Sequence, residues 1–202
     1  MKKLIAGVVL GVSLTATVYG AGDPAAGEAN AAVCAGCHGQ GGSAPIMPVY
    51  PKLSDLGEKY LYQQLALIKS GDRAIAEMTG ILDNMSDQDL QDLAAYFDQQ
   101  EMTIGKANSE LVEAGRSLYR GGNLASDIAA CAACHSPSGK GNGPASYPRL
   151  SGQSAEYVQK QLMAYRQGER DAGAQSQVMM DIAARLTDSE IEAVSSYISG
   201  LH

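Results

Sequence analysis

The sequence predicts an all-α protein in which one small domain occurs twice. Three observations support this prediction. The second half of the 202-residue chain repeats the first, apolar residues recur at helical spacing in both copies, and no stretch alternates like a β-strand. With a shift of 97 residues, YPKL at Tyr50 falls on YPRL at Tyr147. The same shift matches Tyr60, Gln64 and Leu65 with Tyr157, Gln161 and Leu162.

Each copy is expected to open with a helix. Asp23 followed by Pro24 is a favourable pair for the N-cap and the first turn, so a helix should begin there. Residues 110–119 are expected to open the second copy in the same way. The spacing of apolar residues then predicts helices over residues 60–70 and 157–167.

The last helix of each copy carries a start signal. Ser86 and Thr187 are each followed three positions later by an acidic residue, Asp89 and Glu190 respectively, which is the pattern of a capping box. Here the shift between the copies becomes 101, and MSDQDLQDLAAYF matches LTDSEIEAVSSYI. Two domains are predicted, residues 21–104 and 105–202, with a linker near residues 101–108.

The chain begins like an exported protein. Lys2 and Lys3 precede a short uncharged apolar run over residues 4–18, and Val18 and Gly20 are small enough to flank a cleavage site. The alternative is a retained membrane anchor, but the run is shorter than the roughly 20 residues that a spanning helix needs. Residues 1–20 are therefore predicted to be a cleaved signal peptide, and the mature protein is expected to be soluble and periplasmic.

The charge balance argues against nucleic acid as a partner. Without the signal, 13 basic and 22 acidic residues remain, a net charge of −9. Nucleic acid phosphates require a basic surface, which this composition does not supply.

All four cysteines belong to two copies of one motif, Cys-x-x-Cys-His. The residues are Cys34, Cys37 and His38 in the first copy and Cys131, Cys134 and His135 in the second. Disulfides within each pair, or a four-cysteine zinc site, are the alternatives, but both leave the two histidines unexplained. The motif is the attachment signature of c-type haem.

The spacing explains why the motif suits haem. Residues at i and i+3 share a helix face, so two thiols can reach both vinyl groups of one porphyrin. The histidine that follows can then direct its imidazole at the iron. Two domains are predicted, each wrapped around one covalently attached haem and related by internal duplication.

Methionine is expected to be the second axial ligand. No histidine other than the two in the motifs precedes the terminal His202, and thioether ligation is the usual alternative. Met78 lies eight residues before Ser86, and Met179 lies eight before Thr187. Core packing is the alternative role for any methionine. Met180, which adjoins Met179, leaves the assignment in the second copy ambiguous.

A ligating histidine needs a partner for its other ring nitrogen. Pro51 and Pro148 each lie 13 residues after the motif histidine, within the repeated YP(K/R)L. Their carbonyl oxygens are the predicted acceptors for the Nδ1 protons. The alternative is an ordinary turn before a helix.

The repeated segments KSGDR and RQGER are predicted to be solvated loops. They contain four basic residues: Lys69, Arg73, Arg166 and Arg170. Contact of one of these with a haem propionate is the alternative.

A six-coordinate iron favours an electron carrier, because nothing needs to bind or rearrange as the electron moves. An enzyme such as a dihaem peroxidase would need an open iron position and distal acid–base groups. The motifs leave no histidine for that role before His202, and no catalytic residue is predicted. A gas or redox sensor is a third class, but no signalling segment is evident.

Several segments of the chain resemble the cytochrome c4 family, over essentially the whole mature sequence. They are CAGCHG, YPKL, EMTGIL, SDQDLQDLAAYF, CAACHSPSG, YPRLSGQ and SSYISGLH. The resemblance implies a periplasmic dihaem electron carrier with two cytochrome c-like domains related by a pseudo-two-fold, whose haem edges approach each other. It also implies axial pairs of His38 with Met78 and of His135 with Met179.

The resemblance further implies redox proteins as partners. These would be a quinol-oxidising complex or another donor, and a terminal oxidase of the respiratory chain or a similar acceptor. Peripheral association with the inner membrane is part of the same expectation.

Overall fold

The structure, a computed structural model, describes residues 22–173 and 175–202. The predicted signal peptide, residues 1–20, lies outside these ranges. Within them, no helix is both long enough and apolar enough to cross a membrane.

The described residues form helices and short 3₁₀ turns without any β-strand, so the all-α prediction is confirmed. In the first half, residues 22–104, the α-helices are α1 (Pro24–Asn30), α2 (Ala32–His38), α3 (Glu58–Ser70) and α4 (Asp87–Asp98). In the second half, residues 105–202, they are α5 (Val112–Gly121), α6 (Ala132–His135), α7 (Ala155–Gln167), α8 (Ser176–Ala183) and α9 (Asp188–Gly200).

The opening helices differ in how they begin. The side chain of Asp23 accepts a hydrogen bond from the Ala25 N–H at 2.9 Å, and α1 starts at Pro24 as predicted. In the second half, the Asn108 side chain accepts from the Glu110 N–H at 3.0 Å. This Asx-type contact favours a turn over residues 108–111, so α5 begins at Val112 rather than at residue 110.

The two closing helices begin with the predicted capping boxes, which are confirmed. In α4, the Asp89 N–H donates to Ser86 Oγ at 3.2 Å, and the Ser86 N–H donates to Asp89 Oδ2 at 2.7 Å. In α9, the Glu190 N–H donates to Thr187 Oγ1 at 3.2 Å, and the Thr187 N–H donates to Glu190 Oε2 at 2.9 Å.

In each half, the opening helix crosses the closing helix at a glycine. A Cβ on Gly27 would stand 2.0 Å from the Asp92 carbonyl oxygen of α4. A Cβ on Gly115 would stand 2.2 Å from the Ala193 carbonyl oxygen of α9. Any side chain at these two positions would force the helices apart, so glycine sets how closely they pack.

The second half contains an additional loop before its cysteine motif. In the first half, α1 and α2 are separated by Ala31 alone. In the second half, residues 122–131 separate α5 from α6, and an isolated bridge between Asn123 and Ile128 closes part of this segment. The duplication therefore preserves the motif and the closing helix but not the segment that leads to the motif.

Each half has its own apolar core, and polar contacts join the halves. The Lys52 N–H donates to Gln153 Oε1 at 2.9 Å, and Gln153 Nε2 donates back to the Lys52 carbonyl at 2.9 Å. Arg149 forms an ion pair with Asp55 across the same junction. At the start of the second half, the Gly105 N–H donates to the Ser199 carbonyl of α9 at 2.9 Å.

Candidate haem sites

Helix α2 presents the first cysteine motif. Cys34 and Cys37 are one turn apart on this seven-residue helix, and His38 is its buried last residue. Gly39 then turns the chain sharply with a φ of 77°, and a Cβ there would stand 2.1 Å from the Ala44 carbonyl oxygen. Glycine is required at this position because both the dihedral angle and the close approach exclude a side chain.

The second motif lies on a shorter helix. Cys131 is the N-cap of α6, Cys134 follows one turn later, and His135 is the buried last residue. Ser136 takes the positive φ, 68°, that Gly39 has in the first half. Its hydroxyl accepts from the Lys140 N–H at 2.9 Å, and its carbonyl accepts from Tyr119 OH at 2.8 Å. These bonds hold the strained turn.

Both motif histidines are oriented by a proline carbonyl. His38 Nδ1 lies 2.9 Å from the Pro51 oxygen, and His135 Nδ1 lies 2.9 Å from the Pro148 oxygen. A carbonyl only accepts, so Nδ1 carries the proton and Nε2 keeps its lone pair free. Burial lowers the pKa of both imidazoles, although the bond to the proline opposes this, so the neutral form that binds iron is favoured.

The four cysteines form no disulfide with one another and lie in two separate cavities. Cys34 and Cys37 line the first cavity, and Cys131 and Cys134 line the second, so the two pairs do not form a four-cysteine zinc site. Burial raises the pKa of the Cys34 thiol, and it raises that of Cys131 to about 11. Reactive redox cysteines need a lowered thiol pKa, so these values do not favour a thioredoxin-like role.

Both cavities have the size of ordinary cofactor pockets and a mostly apolar lining. The first has a volume of about 370 Å³ and the second about 440 Å³, within the range of typical cofactor pockets. Apolar side chains form most of the walls. Examples are Leu61, Leu65, Leu82 and Phe97 in the first, and Val158, Leu162, Val194 and Ile198 in the second. Each cavity thus combines two thiols, one imidazole and apolar walls.

A methionine lines each cavity as well. Met78 ends a 3₁₀ turn, Ala76–Met78, and lines the first cavity with His38. Met179 lies on α8 and lines the second cavity with His135. Successive residues on an α-helix point about 100° apart, so Met180 points elsewhere. Its Cε is 3.9 Å from the position of a Cβ on Gly168.

Comparison with known proteins identifies the family to which these two sites belong. Residues 22–97 match the family model described as cytochrome c oxidase, cbb3-type, subunit III, and residues 112–202 match the model described as cytochrome c. Cytochrome c4 of Azotobacter vinelandii is 50% identical over 211 residues, which cover 100% of both chains. The chain belongs to the cytochrome c4 family.

Other matches agree with membership of the cytochrome c4 family. The crystal structure of reduced cytochrome c4 from Pseudomonas stutzeri has a TM-score of 0.87 and 46% identity, over 90% of this chain and 100% of that one. A thiosulfate dehydrogenase electron acceptor of Thiomonas intermedia is 34% identical, over 87% of this chain and 81% of its own.

Family membership and the two motifs establish the cofactor. The chain carries two covalent haem c groups, one for each cysteine motif, and is a dihaem electron carrier that works with redox partners. These matches confirm the resemblance to the cytochrome c4 family. They also confirm the predicted duplication of a cytochrome c-like domain.

The prediction of solvated loops at KSGDR and RQGER is wrong for its last residue in the second copy. Arg170 is only 7% exposed and lies at the junction of the two halves, where it and Arg73 both donate hydrogen bonds to Gln64 and Gln161. Lys69 and Arg166 lie nearer the surface. Their side chains donate hydrogen bonds to the carbonyl oxygens of Met85 and Leu186 respectively. The sequence repeat aligned Gln64 with Gln161, which accept hydrogen bonds from the two arginines, but it gave no role to either glutamine.

Proposed function

We propose that the protein transfers single electrons in the periplasm, within the respiratory chain, from a quinol-oxidising complex or similar donor to a terminal oxidase or similar acceptor. The observation that carries this proposal is the repeated lining of two cavities, each with two cysteines, a carbonyl-held histidine and a methionine. When bound, haem iron supplies the redox step by alternating between its ferric and ferrous states.

The residues of the chain prepare that step. We assign covalent attachment to Cys34 and Cys37 in the first site and to Cys131 and Cys134 in the second. His38 and Met78 would hold the iron in the first site, and His135 and Met179 would hold it in the second. Pro51 and Pro148 hold the two imidazoles. Thioether ligation favours the ferrous state and raises the potential.

Two protein ligands at each iron suit a carrier better than an enzyme. With two protein ligands at each iron, no substrate would need to bind iron, and the surrounding side chains would not need to rearrange as charge moves. A peroxidase needs an open position and distal acid–base groups. In this chain, a methionine lines each cavity instead, Met78 in the first and Met179 in the second.

The domains and location belong to the same proposal. Residues 21–104 and 105–202 form the two cytochrome domains, released into the periplasm after cleavage of residues 1–20. Peripheral association with the inner membrane would place the protein near its partners.

A second candidate role is to accept electrons from a thiosulfate dehydrogenase. The Thiomonas intermedia relative supports it, since its name describes an electron acceptor of thiosulfate dehydrogenase. The test is to mix the ferric holoprotein with candidate donors and the ferrous holoprotein with candidate acceptors, and to follow haem absorbance in a stopped-flow instrument. Fast oxidation by a terminal oxidase supports the respiratory role. Oxidation only by hydrogen peroxide, with turnover, would contradict it. Fast reduction by thiosulfate dehydrogenase, without transfer to any oxidase, would favour the second role.

A further inference from the structure

The peptide group that joins Pro51 to Lys52 makes a hydrogen bond at both of its polar atoms. Its carbonyl oxygen accepts from His38 Nδ1 at 2.9 Å. Its N–H donates to Gln153 Oε1 of the second half, also at 2.9 Å. Both atoms belong to one planar, conjugated unit, so a bond at one of them changes the electron density at the other. A hydrogen-bond relay therefore leads from the Gln153 amide, through one peptide, to the histidine of the first motif.

Gln153 is held in the orientation that the relay requires. Its Nε2 donates to the Lys52 carbonyl at 2.9 Å. The backbone N–H can only donate and the carbonyl can only accept, so these partners fix which end of the amide faces which group. Oε1 also accepts from the Ser154 N–H at 3.0 Å, and Gln153 is only 3% exposed. Solvent therefore has little access to the relay.

The second motif has no such amide behind its proline. The shift of 97 residues that matches the two prolines also matches Gln153 with Leu56, which is 5% exposed and has no polar side-chain atom. Pro148 is followed by Arg149, whose backbone N–H makes no hydrogen bond among residues 22–173 and 175–202. His135 thus has the proline carbonyl as its acceptor but lacks the relay.

The difference between the halves is confined to this one peptide. At the next residue, the Leu53 N–H donates to the Gly42 carbonyl at 2.7 Å, and the Leu150 N–H donates to the Gly139 carbonyl at 2.8 Å. The backbone that follows each proline is therefore held alike in both halves. An unequal effect on the two histidines can then be assigned to Gln153 and not to a different path of the chain.

The relay acts on the basicity of the histidine. Hydrogen bonds in series strengthen one another by about 10–30% per bond. Donation to Gln153 makes the Pro51 oxygen more negative, and this oxygen becomes a better acceptor for the His38 proton. A stronger bond at Nδ1 makes Nε2 a more basic ligand. A more basic ligand stabilises ferric iron more than ferrous iron, and so lowers the potential.

We propose that Gln153 is a positioning residue for the haem of the first motif. It holds and polarises the peptide after Pro51, strengthens the hydrogen bond at His38 and lowers the potential of that haem. The haem of the second motif has no corresponding contribution. The inference rests on the proposed ligation of iron by His38.

The position of Gln153 separates this effect from a direct one. Gln153 lines the second cavity and is not among the described residues that line the first. A direct effect of the amide on a haem would therefore change the potential of the second haem. An effect through Pro51 and His38 changes the potential of the first.

The unaltered ferrous holoprotein provides a test that needs no substitution. Proton NMR measures the Nδ1–H signals of His38 and His135, and the His38 signal should lie downfield because its hydrogen bond is stronger. The backbone amide proton of Lys52 should exchange with solvent more slowly than that of Arg149, since only Lys52 donates to a side-chain oxygen. The reverse order in both measurements would overturn the proposal.

The variant Gln153→Leu places at position 153 the residue that the first half has at the matching position. Lys52→Met is the control. It removes the hydrogen bonds from Lys52 Nζ to the Thr103 carbonyl at 2.6 Å and the Gly152 carbonyl at 2.8 Å, so it loosens the same junction, but it keeps the peptide N–H. The potential of each haem is measured by redox titration followed by NMR. Haem content and the methionine–iron absorption band, measured on the parent and on both variants, show separately whether the proposed attachment and ligation are intact.

Gln153→Leu should shift the equilibrium of the first haem about threefold toward ferrous, which corresponds to about 28 mV for one electron. The His38 Nδ1–H signal should move upfield, while the His135 signal and the second potential stay in place. Lys52→Met should leave the His38 signal unchanged, and its loss of positive charge should lower potentials, not raise them. A change of the second potential alone in Gln153→Leu, or an equal movement of the His38 signal in Lys52→Met, would overturn the proposal.

Discussion

Pro51 and Pro148 show what a single residue contributes at each site. Their carbonyl oxygens accept from the Nδ1 protons of His38 and His135, at 2.9 Å in both halves. This contact fixes both the tautomer and the direction of the ring, so that Nε2 is available to iron without rearrangement. The two acceptors belong to the same repeated segment, YP(K/R)L, which explains why the geometry recurs.

The assignment of the second methionine can be tested one residue at a time. Met179→Leu should abolish the methionine–iron charge-transfer band of one ferric haem and lower the potential of that haem, because thioether ligation raises it. Met180→Leu is the matched control and should leave both unchanged, since Met180 approaches Gly168 instead. Visible absorption and a redox titration measure the result. The reverse outcome, loss of the band in Met180→Leu alone, would contradict the assignment.

At the scale of an element, the crossing of α5 and α9 depends on one glycine. A Cβ at position 115 would stand 2.2 Å from the Ala193 oxygen and 2.6 Å from the Tyr197 Cβ. Gly115→Ala should therefore destabilise the protein by about 1 to 3 kcal/mol, the usual cost of overpacking. Denaturant unfolding of the holoprotein measures the change.

The same helix supplies a control for this substitution. Gly121 is in α5, and a Cβ there would meet no atom within 4 Å. Gly121→Ala should leave stability unchanged or slightly increase it, because alanine is the better helix former. An equal loss in both variants would show that helix propensity, rather than the crossing, decides the effect.

The capping box of α9 should make stability depend on pH. The Thr187 N–H, first among the contacts of Glu190, holds the pKa of that carboxyl below its ordinary value. Because the pKa is lower in the folded state, this stabilisation is present above the unfolded pKa of about 4.3 and is lost as pH falls through the folded value. Thr187→Ala should remove about 1 kcal/mol at neutral pH. Glu190→Gln should also be less stable at neutral pH.

Thermal unfolding across a pH series tests this prediction. The difference between Glu190→Gln and the parent protein should narrow as the pH falls from about 4.3 through the lowered pKa of the folded state, below which the parent carboxyl is protonated as well. Ser117→Ala, on the exposed side of α5, is the control and should show no loss. A difference that is constant with pH would exclude the carboxylate as its source.

What the sequence could predict at this scale was local. The cysteine motifs, the capping boxes and the start of α1 each depend on residues a few positions apart, so spacing alone was sufficient. The crossing glycines, and the hydrogen bonds that Arg73 and Arg170 make across the junction of the halves, depend on segments that meet only after folding. The late start of α5 depended on an Asn108 side chain that competes for the backbone.

At the scale of the whole molecule, charge is divided unequally. Residues 21–104 contain 4 basic and 12 acidic residues, a net charge of −8, and residues 105–202 contain 9 and 10, a net charge of −1. Negative charge stabilises ferric iron and lowers a potential. Arg73 is already counted in the net charge of residues 21–104. Arg170 lines both cavities, so its charge acts on both haems and neither arginine reverses the difference in charge between the halves.

This asymmetry predicts that the haem of Cys34 and Cys37 has the lower potential. Seven excess charges at about 15 Å in water amount to roughly 2 kcal/mol, and salt reduces this several-fold. Since about 1.4 kcal/mol corresponds to 59 mV for one electron, the gap should be tens of millivolts, and the electron should rest on the haem of Cys131 and Cys134. A redox titration followed by NMR, with the methionine methyl signals assigned to each half, measures the order.

Ionic strength gives the control for the charge argument. The gap should widen as salt is lowered, because screening weakens. If the first half is reduced first, or if the gap narrows at low salt, the unequal charge does not set the order of the potentials.

Both haem irons of the molecule are proposed to have two protein ligands, which leaves neither iron open to a small molecule. Carbon monoxide tests it most directly, since it binds ferrous haem only where a position is open. The measurement is the carbon monoxide difference spectrum of the reduced holoprotein, quantified against the haem that remains attached after acid–acetone extraction. We expect two retained haems per chain and no rapid carbon monoxide binding at either. Rapid binding of carbon monoxide at one haem per chain, or loss of haem on extraction, would contradict it.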